Sequence, residues 1–372
     1  MKTRTISNSL LFIPDISGYT QFVKTTEIDH SQHVISELLE VLIKANTQNL
    51  ELAEVEGDAL FFYKEKEIPS QEKLLAQIET MFTSFYSHLK LLEKNRVCPC
   101  NACATAPNLQ LKIIAHCGEL QFITVQNNRK PFGQVVIEAH RLLKNSVSSN
   151  NYVLLSEDLT EDIGIRDDYK SQLFNFSVNE DIYDEKKIKY LFSEIDKEKL
   201  KLTSYETPYE VDLKQSPGFV IKKKYNVSAS VLLEYITNYS YRYHWVKGID
   251  KLEYNPDEVT RLGTEHVCVI DGKRLNFTTI TKKVEPNQLV YGELTKDMPI
   301  IDSLYQFYTI NTISENSCEL VMEGYPNSKS IFGKIMTAIH LKRSFKKLFK
   351  ESLNNLETYI NENEANPVIE VV

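Results

Sequence analysis

Two aspartates offer the most concentrated chemistry in the chain. Asp15 sits in Phe12-Ile13-Pro14-Asp15-Ile16-Ser17-Gly18-Tyr19-Thr20, and Asp58 in Glu54-Val55-Glu56-Gly57-Asp58-Ala59-Leu60-Phe61-Phe62-Tyr63. Each puts a carboxylate where an apolar, strand-like run ends or turns, so the two can meet on adjacent strands. Carboxylates held close repel unless a hard cation lies between them. Mg²⁺ suits such a pair, because it takes one or two protein carboxylates and completes its shell with substrate phosphates. A plainer reading makes both residues turn formers, a common use of Asp and Gly. A second cluster, Cys98-Pro99-Cys100-Asn101-Ala102-Cys103, has three thiols in six residues. With a fourth ligand from His116 or Cys117 on the strand that follows, it could hold a structural Zn²⁺; otherwise it is a loop of reduced thiols. Cys268 and Cys318 lie in strand-like runs and read as small buried hydrophobes.

The elements that must carry these residues follow from periodicity. Val34, Leu38, Leu39, Val41, Leu42 and Ala45 recur at helical spacing over Ser31–Asn46. Strands are expected at Leu50–Glu56 and Ala59–Lys64, and a second helix at Ser70–Glu93. After the cysteines come strands Leu109–Cys117 and Leu120–Val125, a polar loop Asn127–Pro131, a helix Gln134–Asn145 and a strand Tyr152–Ser156. That is a β-α-β-β-α-β pattern with extra strands, a ferredoxin-like layer of sheet and helices. Residues 161–217 are charged and weakly periodic and read as a linker, with room for strands that pack back on the first domain.

These segments resemble the class III nucleotidyl cyclases, and within that likeness the uncharacterised DUF2652 type. The cyclase catalytic domain carries a strand-Asp-Ile-x-Gly-Phe-Thr segment and a Gly-Asp hairpin. Asp15, Ile16, Gly18, Tyr19 and Thr20 match the first, with Tyr for Phe, and Gly57-Asp58-Ala59 matches the second. Gly133-Gln134-Val135-Val136-Ile137-Glu138-Ala139-His140-Arg141-Leu142 is similar to the family helix Gly-x-x-Val-Asn-x-Ala-x-Arg. The resemblance, over residues 1–160, implies that Asp15 and Asp58 hold Mg²⁺ or Mn²⁺ on a nucleotide with help from the Ile16 carbonyl. It makes Arg141 the catalytic cation on the phosphates, and it implies a homodimer with a site shared between subunits. Two departures matter. The family Asn that orients the ribose falls on Ile137, which has no donor or acceptor. At the two purine-reading positions, Glu54 is as in guanylyl cyclases, while Lys130 matches neither version. Loss of one positioning residue commonly costs about a hundred- to a thousand-fold in rate, so metal and nucleotide binding is better supported than turnover. The expectation is a purine nucleotidyl cyclase of impaired or altered catalysis. The alternative is a non-catalytic ligand sensor whose cyclase-like half only dimerises. His140 reads as a surface or packing residue sooner than as a general base.

From Gly218 the pattern changes. Strand Phe219–Asn226, a short helix Ser228–Ile236, an aromatic run Tyr239–Trp245, several antiparallel strands between His266 and Glu323, and a long helix Ser328–Asn361 follow in order. This order, over residues 218–361, resembles the START-like or polyketide-cyclase-like superfamily, an α+β helix-grip fold. The likeness implies a cavity for a small hydrophobic ligand lined by Tyr243, Trp245, Phe277, Tyr291, Phe307 and Ile339; the same side chains would also serve as plain core. Lys342, Arg343, Lys346, Lys347 and Lys350 on the last helix fit a solvated face, or contact with phosphates or an anionic membrane surface. Residues 362–372 read as a tail.

Bulk properties bound the rest. In 372 residues, 42% hydrophobic and 25% charged content are those of an ordinary globular chain with room for two or three domains. A net charge of -8 argues against nucleic-acid binding, which needs a basic surface. No apolar run approaches the roughly 20 residues that span a bilayer, so the expectation is a cytoplasmic protein without integral membrane segments.

Overall fold

The computed structural model describes residues 7–183, 186–205, 209–256, 258–270, 272–296, 298, 301–330 and 342–365. The chain is α+β and divides into two compact units, Met1–Leu91 with Thr105–Ser204, and Leu92–Ala104 with Tyr205–Val372.

In the first unit the strand Ser9–Ser17 (β1) is buried along its length except at half-buried Asp15. A strand covered on both faces must be apolar nearly throughout, which is why SLLFIPDIS shows no alternation. Helices Tyr19–Thr25 (α1) and Ile28–Lys44 (α2) follow, then strands Glu51–Glu56 (β2) and Ala59–Lys64 (β3) and helix Gln71–Lys94 (α3). A short helix Asn101–Thr105 (α4), which belongs to the second unit up to Ala104, precedes Gln110–Gly118 (β4) in the chain. Next come Gln121–Val125 (β5), Asn128–Phe132 (β6), helix Gln134–Leu142 (α5), Tyr152–Ser156 (β7), helix Glu157–Ile163 (α6), Ser177–Tyr183 (β8) and Lys186–Glu194 (β9). The sheet order is β2-β3-β1-β4-β7-β9-β8. β1 pairs antiparallel with β3 and β4, and β4 pairs parallel with β7.

Strand alternation sets what faces the helix α5. Leu11 and Ile13 of β1, Ala59 and Phe61 of β3, and Ile114 of β4 form one core cluster with Val135, Ala139 and Leu142 of α5. Asp15, Lys112 and His116 share the parity of those strand residues and so share that face.

Two expectations are revised. Asn127–Pro131 is no loop: β6 pairs with β5 in a separate two-stranded sheet, turned at Gln126 and Asn127, which take φ of 48° and 66°. Polarity misled because both strands are largely solvent-facing. Within residues 161–217, β8 and β9 extend the main sheet; Ile188, Tyr190 and Leu191 are buried, Lys186, Lys187, Lys189 and Glu194 are exposed, and half-buried Asp181 accepts from the Tyr190 hydroxyl at 2.7 Å.

The second unit has a seven-stranded antiparallel sheet. Its elements are Phe219–Tyr225 (β10), helices Ala229–Thr237 (α7) and Tyr239–Trp245 (α8), and strands Ile249–Glu253 (β11), Glu265–Ile270 (β12), Lys273–Ile280 (β13), Gln288–Lys296 (β14), Ser303–Ser314 (β15) and Ser317–Asn327 (β16), then helix Lys342–Ala365 (α9). The order is β10-β16-β15-β14-β13-β12-β11. Ser228 caps α7 by accepting from the Val231 N–H at 3.2 Å. Leu353, Leu356 and Ile360 of α9 are buried against Trp245, Tyr291, Tyr308 and Met322. β11 had no counterpart in the sequence reading. Ile331, Ile335 and Ile339 of the expected final helix lie outside the described residues. Among the described residues no helix is long and apolar enough to cross a membrane.

Candidate functional site

Asp15 stands opposite Ala59 of β3 and opposite Lys112 of β4. The Ile16 N–H donates to the Asp58 carbonyl at 3.0 Å, which ties the β2–β3 turn to the end of β1. That turn holds only Gly57 and Asp58, and Gly57 takes φ of +68°, a left-handed value that Gly adopts freely. The two carboxylates are near enough to act on one another. Burial pushes the Asp15 carboxyl up to about 6, Lys112 pulls against it, and the charge of Asp58 adds to the rise. Asp58 is also raised, by burial, against its own backbone N–H and Lys112.

Lys112 is the residue that the sequence reading missed. Its Nζ lies 3.4 Å from Asp15 Oδ1. The signal was there: one Lys inside the apolar strand QLKIIAHCG, at the parity of Ile114. Its single charge does not bring either carboxyl back to its ordinary value against the effect of burial, which disfavours the charged form of both. Two carboxylates plus a backbone carbonyl make a hard oxygen set that fits Mg²⁺ or Mn²⁺. Lys112 competes for one Asp15 oxygen and is equally suited to a phosphate oxygen.

The remaining positions lie on β2, the β5–β6 hairpin and α5. Glu54 and Lys130 meet each other: Nζ lies 3.1 Å from both Glu54 carboxylate oxygens. Arg141 is half-buried in the last turn of α5. Ile137 is 48% exposed, an unusual place for a large apolar side chain. His140 is anchored: its Nε2 lies 2.9 Å from Glu56 and its Nδ1 2.8 Å from the Val136 carbonyl, and Phe61 packs edge-on to the ring. Those contacts make it a packing residue.

The three clustered cysteines converge. Cys98, Cys100 and Cys103 bring their sulfurs within 4.8 Å of one another. The Cys103 thiol is held far above its ordinary value, by hydrogen bonding with Cys100 first, then Cys98, then burial. His116, expected as a fourth ligand, instead has its Nδ1 2.8 Å from Ser156 Oγ and its Nε2 3.6 Å from Glu138. Strand parity explains this, since His116 points to the α5 face. Cys117, the other expected fourth ligand, is buried, and burial with the charges of Asp162 and Asp158 pushes its thiol up to about 12.

In the second unit a small cavity of about 60 Å³ is lined by Arg242, Trp245, Cys268, Phe277, Glu293, Gln306, Tyr308 and Phe349 among others. At its wall Arg242 and Glu293, 3% and 2% exposed, pair at 2.5 Å. Arg242 also donates to Tyr291 Oη and to the Ile236 carbonyl, each at 3.2 Å, and Tyr291 donates to Glu293 at 2.6 Å. The Arg242 Nε–H has no partner. His266, stacked on Phe277, is held neutral by burial and by Arg242. Trp245 and Phe277 line the cavity. Tyr291 backs it from the polar cluster. Tyr243 is 56% exposed on α8, and Phe307 packs on the opposite face of β15 with Ile280 and Tyr325, because alternation turns Gln306 and Tyr308 inward. Ile339 lies outside the described residues.

A family model described as a protein of unknown function, DUF2652, matches residues 35–152. That span takes in Asp58, the three cysteines and α5, and begins after Asp15. A curated relative, the uncharacterised protein Rv2561/Rv2562 of Mycobacterium tuberculosis, is 32% identical over 126 residues, 33% of this chain; the chain spans 57% of that relative's length. Among solved structures, the monomeric guanylyl cyclase domain of the RhoGC fusion protein from the fungus Blastocladiella emersonii is similar over 50% of this chain and 95% of its own, at 16% identity and TM-score 0.36. The guanylate cyclase domain of RhGC from Catenaria anguillulae in complex with GTP is similar over 51% and 97%, at 16% identity and TM-score 0.34. A bacterial light-regulated adenylyl cyclase is similar over 51% and 91%, at 14% identity and TM-score 0.36.

Proposed function

We propose that the first unit binds a divalent cation and a purine nucleotide at Asp15 and Asp58, with impaired or altered turnover. The observation that carries this reading is a pair of partly buried carboxylates, tied by the Ile16–Asp58 backbone hydrogen bond, that burial holds above their ordinary value against Lys112, with the charge of Asp58 adding to the rise at Asp15. When bound, Mg²⁺ or Mn²⁺ would neutralise phosphate charge and orient the triphosphate between the two carboxylates. Lys112 and Arg141 would take phosphate oxygens, Arg141 in the paired geometry that guanidinium favours. Glu54 and Lys130 stand at the two purine-reading positions, Glu54 as in guanylyl cyclases and Lys130 as in neither version, and their ion pair must open for a base to enter. Because the resemblance divides the site between subunits, a homodimer belongs to this reading.

A second reading, a non-catalytic sensor, is favoured by Ile137. An exposed apolar side chain where cyclases hold the ribose-orienting Asn supports an interface without chemistry. Incubation with Mn²⁺ and either ATP or GTP, followed by assay for cyclic product, separates the two. Product that disappears in Asp58→Ala supports turnover; binding without product supports the sensor, and Ile137→Asn is then expected to gain product.

For the second unit, a START-like helix-grip domain, the proposed ligand is small, hydrophobic and neutral. Arg242 is already neutralised by Glu293, so a carboxylate ligand would meet Glu293 without a cation to spare. A hydroxyl would accept from the Arg242 Nε–H and donate to Gln306 or Glu293. Trp245 is the only Trp of the chain and lines the cavity, so its fluorescence reports binding directly. Neutral hydrophobic alcohols are expected to change it saturably and the matching carboxylates not; the reverse order rejects the proposal. Cys98, Cys100 and Cys103 are proposed to hold Zn²⁺ as a structural ion.

A further inference from the structure

A different set of ligating groups converges on the α5 face, away from the aspartate pair. His116 on β4, Glu138 on α5 and Asp158 in the first turn of α6 each offer one ligand atom, all within 4.8 Å of one another. His116 stands opposite Leu11 in the register that sets Lys112 opposite Asp15. Four strand residues separate them, about 13 Å. The two sites are therefore distinct.

The contacts around these groups are divided in an informative way. His116 is 2% exposed, its Nδ1 faces Ser156 Oγ at 2.8 Å, and its Nε2 has no hydrogen-bond partner among the described residues. Ser156 is itself fixed, because its Oγ caps α6 by accepting from the Leu159 N–H at 3.3 Å. A ring held through one nitrogen and bare at the other is the usual state of a metal-binding histidine. On Glu138, Oε1 takes both Gln134 Nε2, at 3.0 Å, and Lys186 Nζ, while Oε2 is turned to His116 Nε2 at 3.6 Å. That separation exceeds a hydrogen bond, whose N···O distance is about 2.7–3.2 Å. It is close to the edge between two ligands of a tetrahedral ion with bonds of about 2.1 Å, which is about 3.4 Å.

We propose that His116 Nε2, Glu138 Oε2 and the Asp158 carboxylate bind a divalent transition-metal ion of the zinc class, with water in the fourth position. One imidazole and two carboxylates suit Zn²⁺, Co²⁺ or Mn²⁺. Asp158 is exposed, so an ion reaches the buried pair from that side. A bound ion joins β4, α5 and α6. It clamps α5 at Glu138, three residues before Arg141, which links occupancy of this site to the placement of that arginine.

The test is a calorimetric Zn²⁺ titration of the full chain carrying Asp58→Ala, with and without Asp158→Asn, repeated with Co²⁺ for its absorption. Asp158→Asn changes an exposed position, and unchanged circular dichroism and melting would establish that it folds; His116→Gln is the companion variant. The expected result is one site with the visible Co²⁺ bands of a four-coordinate nitrogen–oxygen set and no near-ultraviolet sulfur charge transfer, weakened about tenfold or more by Asp158→Asn. Any site with sulfur charge transfer belongs to the cysteines and is expected to be untouched. Identical stoichiometry and affinity in the parent and Asp158→Asn would overturn the proposal, as would a lost site that carries sulfur charge transfer.

Discussion

The two units handle buried charge in opposite ways. In the first, Asp15 feels the charge of Asp58, Lys112 pulls against burial at both, and both carboxyls are still pushed up from their ordinary value by burial. In the second, Arg242 and Glu293 are more deeply buried yet balanced, one cation to one anion, with Tyr291 bridging at hydrogen-bond distance. An unbalanced pair is a site for a charged ligand, because the ligand supplies what the fold leaves out. A balanced pair can only admit a ligand that brings no net charge, and its own role is to fix the shape of the cavity wall. Depth of burial alone therefore does not identify an ion site; the residual charge does.

The largest expected effect breaks the balanced pair. Glu293→Gln leaves the Arg242 guanidinium buried without its anion, and chemical unfolding should register a loss of about 3–5 kcal/mol in the second unit. The double change Arg242→Met with Glu293→Leu removes both charges at similar volume and should cost far less. Equal losses in the single and double variants would mean that the pair acts through packing and not through charge.

The next effect tests the unbalanced pair. Asp58→Ala removes one of two carboxylates that would hold a cation, and Mn²⁺-dependent nucleotide affinity should fall about a hundredfold or more, on the scale of a lost electrostatic contact in a closed site. Stability should not fall, because an ionisable group that burial disfavours has been removed. A variant that binds Mn²⁺ and nucleotide as the parent does would remove Asp58 from the site.

How much of this was legible in the sequence differs between the units for a physical reason. Asp15, Gly57 and Asp58 were found because a carboxylate at the end of an apolar strand and a Gly at a positive φ are local requirements, written in adjacent residues. Lys112 was missed because its partner is set by strand register, which depends on how β4 lies beside β1. The same limit explains Phe307: its apolar character was plain, but the face it takes depends on which residues of β15 turn to α9. Tyr243 failed for a simpler reason, since a seven-residue helix buries only one stripe and Arg242 and Trp245 occupy it. A buried Arg was not anticipated at all, as its Glu partner lies 51 positions away in sequence.

The smallest effect concerns Asp15 in metal-free protein, and its sign follows from linkage. The folded-state carboxyl stands at about 6, against an ordinary 3.8. Between those values the folded chain binds the proton more tightly than the unfolded chain, so stability falls as pH rises from about 4 to about 6 and is level above. Asp15→Asn removes that dependence. Each pKa unit corresponds to about 1.4 kcal/mol, the shift already includes the pull of Lys112, and the imperfect fit of an amide in place of the acid offsets part of the gain. The variant should therefore be about 1–2 kcal/mol more stable than the parent at pH 7 and no different below pH 4, read from urea unfolding at a series of pH values. A parent whose stability climbs through that window relative to Asp15→Asn would mean that Lys112 fully neutralises Asp15. The carboxylate pair would then have no charge left to offer a cation, and the contrast between the two units would disappear.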